Sequence, residues 1–99
     1  MRINPAEAKL IRSLVQAQFG KETRLWLFGS RVDDTARGGD VDVLVDVDHV
    51  LENPAWAASC AESTLMRALG GRRVDVVLAA PNLQETSLHR LARRDGVPL

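Results

Sequence analysis

The sequence predicts an α+β fold, a small sheet of three to four strands with helices packed on it. Three observations carry this: a capped helical periodicity over Pro5–Phe19, a strict two-residue alternation over Asp40–Val47, and a second apolar run, Arg73–Leu78, separated from it by a helical stretch. At 99 residues the chain is expected to form one domain, 1–99. A chain of this size buries a core but has room for little more than one binding site and one partner surface.

The elements follow in order. Asn4 can cap the first helix, Pro5 suits its first position and Glu7 can reach back to the cap. Leu10, Ile11, Leu14, Val15 and Phe19 repeat at helical spacing, and Gly20 stops the helix. Arg24–Phe28 (RLWLF) reads as a buried strand. Gly29–Asp40 is a polar segment with space for a helical turn after Ser30. In Asp40–Val47 (DVDVLVDV), Val41, Val43, Val45 and Val47 take one face, and Asp40, Asp42, Leu44 and Asp46 the other. Asn53-Pro54 starts a helix that Gly70-Gly71 ends, with Ala57, Cys60, Ala61, Thr64, Leu65, Ala68 and Leu69 as its inner stripe. Arg73–Leu78 (RVDVVL) is the third strand. A last helix is expected over Leu83–Arg94, with Leu88, Leu91 and Ala92 inward, ending at Gly96.

Composition narrows the function. Apolar residues at 45% and charged residues at 26% place the chain among globular domains rather than disordered segments. Thirteen basic and thirteen acidic side chains cancel, which argues against direct nucleic-acid binding. The single cysteine, Cys60, allows no intramolecular disulfide and no cysteine zinc cage. No apolar stretch is long enough to span a bilayer, and MRINPAEAKL lacks the apolar core of a signal peptide. A cytoplasmic location is the expectation.

The alternating strand holds the chemistry. Aspartate is disfavoured in strands, yet Asp40 and Asp42 lie two residues apart on one face, where like charges repel. A hard divalent cation between them relieves this. Magnesium favours carboxylate oxygens and completes its shell with water and substrate phosphates. Asp75 repeats the pattern within VDV. If its strand neighbours the first, three carboxylates can hold two metals, as in-line displacement at phosphorus requires. Taken alone, DVD also fits the solvated face of an amphipathic strand. The Gly29-Ser30 turn directly after a buried strand shifts the balance, because backbone N–H groups and the Ser30 hydroxyl suit phosphate oxygens.

FGS, nine residues, DVDVLV and a later VDVV together resemble the signature of the DNA polymerase beta-type nucleotidyltransferase superfamily, and within it the minimal nucleotidyltransferases. The likeness runs from Trp26 to Leu78 and more loosely to the terminal ARRDGVPL. It implies a palm-like mixed sheet with helices mainly on one face. By the resemblance, Gly29, Ser30 and Arg31 would bind the triphosphate. Asp40 and Asp42 would ligate two Mg2+ ions, and Asp75 would ligate one and orient or deprotonate the attacking hydroxyl. One departure is Gly38-Gly39 before the first aspartate, where relatives often carry serine.

The implied activity is transfer of a nucleoside monophosphate, AMP from ATP, to a hydroxyl. So short a chain has little surface left for an acceptor pocket, so the acceptor is expected on a partner protein. The resemblance points to a helical HEPN-type toxin with this chain as antitoxin, in a hetero- or homo-oligomer. The alternative is a catalytically weak or inactive subunit that neutralises such a partner by binding alone.

Other residues have plainer readings. Asp46 and Asp48 are the solvated end of the strand, and His49 and His89 are surface residues. Cys60 and Trp26 belong to the core. Trp56 is read as core, with a partner anchor as the alternative. Arg72-Arg73 precede Asp75 and are placed to meet phosphate or an acidic partner. Arg90, Arg93 and Arg94 complement the carbonyl end of the last helix.

Overall fold

The computed structural model describes residues 3–29 and 40–99. The elements run α1 (Pro5–Phe19), β1 (Arg24–Phe28), β2 (Val41–Asp46), α2 (Pro54–Ala68), β3 (Val74–Ala79), α3 (Ser87–Asp95) and β4 (Val97–Pro98). The strands form one mixed sheet ordered β3-β2-β1-β4. β2 and β3 are parallel, and β1 is antiparallel to both β2 and β4. The helical turn expected after Ser30 lies outside the described residues.

The alternation sets the two sheet faces. Val41, Val43, Val45 and Val47 join Leu25, Leu27, Val74, Val76 and Leu78 in the main core, roofed by Ile11, Val15 and Phe19 of α1 and Ala61 and Leu65 of α2. On the other face Leu44, Phe28 and Ala79 pack under Ala92 of α3, with Trp26 and Val77 at the margin. Two helices thus cover one face, and α3 covers part of the other.

α1 begins as its sequence signals. The Asn4 side chain accepts from the Glu7 N–H at 2.8 Å, and the Glu7 carboxylate accepts from the Asn4 N–H at 2.9 Å, a reciprocal cap. β3 is an outer strand, and Glu62 of α2 accepts from the Val76 N–H on it at 2.9 Å. Among the described residues no helix is long and apolar enough to cross a membrane.

Several expectations need correction. β2 is one residue shorter at each end than the predicted Asp40–Val47, β3 lies one residue later than Arg73–Leu78, and the fourth strand, β4, had no predicted position. α3 starts at Ser87, not Leu83. Asn82 clamps the Leu51 backbone from both sides, at 2.8 and 3.0 Å, so it does not start a helix. Thr86 is the cap instead, and Leu83 packs at the edge of the core.

That cap turns His89 inward, where it is only 6% exposed rather than on the surface. Its Nδ1 accepts from the Thr86 N–H at 2.9 Å and its Nε2 donates to Leu78 O at 2.9 Å, so the ring hydrogen sits on Nε2. Leu88 and Leu91 consequently point outward, and Ala92 alone of the predicted three is buried. Gly96 closes the helix against the sheet: an added Cβ would collide with Ala92 O and sit 2.9 Å from Leu27 O.

Asp46 is not merely solvated. It takes ion pairs from Arg24 at 3.4 Å and Arg93 at 3.3 Å, and Arg93 also bonds Glu85. The hydrogen bond from Arg93 holds the Glu85 carboxyl below its ordinary value. Trp26 is half-buried, with the Arg24 guanidinium 5.6 Å from its ring centre. Trp56 is 67% exposed, because the first turn of α2 lifts it clear of the core. Leu10 and Ala68, at the margins of their helical stripes, are also exposed.

His49 lies exposed after β2, as expected, but joins two segments. Its Nε2 sits 3.0 Å from Phe19 O, at the carbonyl end of α1, and its Nδ1 3.2 Å from Val50 O. Both nitrogens can donate only when the ring is protonated, and these carbonyl bonds, Phe19 first, raise its pKa above 6.5. A raised native pKa gives stability that is full below the unfolded value and is lost as pH rises through the native one. The native chain should therefore melt above His49→Gln at about pH 5.5, with the gap closing by about pH 8.5 in thermal melts. A gap independent of pH would rule out the charged contact.

Candidate active site

β2 and β3 set two of the predicted carboxylates side by side. Asp42 and Asp75 are direct partners in the parallel ladder, on the same sheet face. Asp40 is half-buried immediately before β2, whose first N–H, that of Val41, bonds Arg73 O at 2.9 Å. On the other side of Asp42 lies β1, with Phe28 opposite it in the antiparallel register. The chain then turns at Gly29.

Gly29 has φ +97°, a left-handed conformation that side chains with a Cβ rarely adopt. A Cβ built there would sit 2.6 Å from Asp42 Oδ2. The glycine therefore lets the backbone come directly against the carboxylate. Asp42 and Asp75 thus form a row across β2 and β3, with Gly29, just past the end of β1, against Asp42 and with Asp40 two residues before Asp42 in the chain.

The charge in this row is partly balanced. Arg73 Nε lies 3.6 Å from Asp75 Oδ1, with both side chains well exposed, so the pair is solvent-screened and exchangeable. Arg72 of the same doublet turns away, to Glu7 at 3.6 Å on α1. Arg73 is thus the member beside the carboxylates. Ser30 and Arg31 lie outside the described residues, as do Gly38 and Gly39.

Among the described residues no three Asp, Glu, His or Cys side chains, Asp40, Asp42 and Asp75 included, come together in a group that could hold a metal ion. The donors present are hard carboxylate oxygens on neighbouring strands, open to one side. This set suits magnesium, which binds few protein ligands and keeps sites for water and phosphate. The close approach at Gly29 fits the same use, since it brings the backbone directly against the Asp42 carboxylate.

The outer flank of α3 carries Leu88 and Leu91, which the sequence placed inward; the Thr86-x-x-His89 cap, which buries His89 instead, is the signal that places them outward.

Comparison with known proteins accords with this geometry. The toxin–antitoxin complex MntA–HpeT, in a form with two aspartates two positions apart each replaced by glutamate, contains a similar chain. It matches with TM-score 0.68 and 26% identity, over 97% of this chain and 72% of that one. A second match is to a tri-AMPylated Shewanella oneidensis HEPN toxin in complex with MNT antitoxin. There the TM-score is 0.62 and the identity 26%, over 93% of this chain and 66% of that one. No curated protein matches the sequence significantly. The model of the nucleotidyltransferase domain matches residues 8–95, nearly the full length, and the chain belongs to that family.

Proposed function

We propose that the chain, acting as one domain over residues 1–99, transfers AMP from ATP to a hydroxyl on a partner protein. We further propose that it serves in the cytoplasm as the antitoxin to a HEPN-type toxin. The observation that carries the reading is the row in which Asp42 stands opposite Asp75 with Gly29 against it. The similar solved complex that pairs an MNT antitoxin with a tri-AMPylated HEPN toxin supports the choice of nucleotide and partner.

Gly29, with Ser30 and Arg31 beyond it, would receive the triphosphate. Asp40, Asp42 and Asp75 would hold Mg2+, two ions in the full site. The ions would supply charge neutralisation on the phosphate oxygens. Asp75, on the outer strand and half-exposed, would orient the acceptor hydroxyl and take its proton. The hydroxyl oxygen bonds to the α-phosphorus, the bond to the bridging oxygen of the β-phosphate breaks, and pyrophosphate leaves. Arg73, beside Asp75, can exchange its carboxylate contact for a phosphate oxygen.

The test is intact mass of proteins co-purified with the chain after incubation with ATP and magnesium, with the native chain and Asp40→Asn/Asp42→Asn in parallel. A partner that gains an AMP only with the native chain establishes the reaction. A partner that binds both versions and gains nothing overturns it in favour of an antitoxin acting by contact alone.

A further inference from the structure

α3 roofs only part of the second sheet face. It lays Ala92 over Leu44, Phe28 and Ala79, ties His89 to Leu78 O, and turns its Arg93 side to Asp46, at the far end of β2 from Asp42. At about 100° per residue, Leu88 lies about 140° around the helix from Arg93, and Leu91 about 160°. Both therefore stand on the side away from Asp46, and Leu88 occupies the flank towards the Asp42–Asp75 row.

These leucines are 41% and 43% exposed. With Ser87, Arg90 and Arg94 they line a shallow groove of about 410 Å³. A single exposed leucine is unremarkable, but two on successive turns beside a cationic rim make a surface with a definite complement. The charged side chains lining the groove are both arginines. Arg94 is partnered by Asp95 at 3.0 Å, whereas Arg90 has no ion pair among the described residues. The surface therefore favours an occupant with apolar anchors flanked by carboxylates.

We infer that this groove docks an acidic, apolar segment of the acceptor protein next to the carboxylate row. The inference rests on the proposed transfer reaction, which needs a hydroxyl acceptor brought to the carboxylate row. Outward exposure and a basic rim suit a polypeptide better than a nucleobase, which is neutral and flat.

The test uses fluorescence anisotropy with two labelled tyrosine-containing peptides. They share leucines three positions apart and differ in carrying glutamate or lysine around them. At low salt the glutamate peptide should bind the native chain at least about tenfold more tightly. Leu88→Ser/Leu91→Ser should weaken that binding about tenfold. Arg90→Glu/Arg94→Glu should reverse the preference, and circular dichroism should show both variants folded. Equal binding of the two peptides, or folded variants that bind like the native chain, would overturn the proposal. So would a Leu88→Ser/Leu91→Ser chain that loses a magnesium–ATP analogue instead of the peptide, which would make the groove a wall for the base. Asp40→Asn/Asp42→Asn should dock the glutamate peptide as the native chain does. A native chain that docks it selectively yet transfers no AMP would uphold the groove and refute the reaction.

Discussion

Asp42→Asn is expected to lower nucleotidyl transfer by a factor on the order of 10³ or more while leaving the fold intact. Asparagine keeps the shape of the side chain and removes its charge. At most positions such a change has mixed effects, but here the neighbour across the ladder is Asp75, another carboxylate on the same face. Removing one of two facing like charges relieves the repulsion between them, so the metal-free variant should still unfold cooperatively. Magnesium should raise the melting temperature of the native chain and not that of the variant, because a ligand that binds only the folded state stabilises it. Transfer of labelled AMP and thermal melts with and without magnesium test this. A variant that transfers AMP normally would remove Asp42 from the reaction. One that melts far lower would give it a structural role instead.

Gly29→Val should damage both stability and activity. At φ +97° a β-branched residue is strained, and its Cβ would start 2.6 Å from Asp42 Oδ2. Either the turn changes its conformation or the carboxylate moves, and the strain should cost about 1–3 kcal/mol. Urea unfolding measures that loss. Activity should fall even in the fraction that folds, since a displaced Asp42 no longer faces Asp75. Gly29→Ala should be milder in stability but similarly harmful to transfer, because the first added carbon makes the clash. A fully active Gly29→Val would mean that the close contact with Asp42 has no bearing on the site.

How far the sequence was legible depended on whether a signal was local. α1 was read to the residue because Asn4, Pro5, Glu7 and Gly20 mark its ends by their own chemistry. The DVDVLV alternation placed each β2 side chain on its correct face, since period two admits only one choice. That Asp75 would join Asp42 depended on β3 lying beside β2 in register, which is a matter of topology that the chain does not state.

The errors share a cause. Asn82 and Thr86 are both competent caps, and only the distant Leu51 backbone decides between them. His89 looked like a surface residue because its partners are a cap and the carbonyl of Leu78 on β3, neither of which periodicity reports. Trp56 was assigned to the core by its size, yet the helix turns it outward. β4 is two residues long and exists only because the edge of β1 is there to pair with it.

Glu62 carries a consequence beyond the site. An outer strand displays a row of backbone donors and acceptors that can template pairing with another chain. On β3 the donor of Val76, at the middle of that row, is already occupied by a carboxylate from α2. An incoming strand would have to expel a charged group before it could pair through the middle of this edge. The sheet is thereby guarded against growth from that side, so the strand that carries Asp75 can stay at the margin, within reach of other molecules, without seeding aggregation.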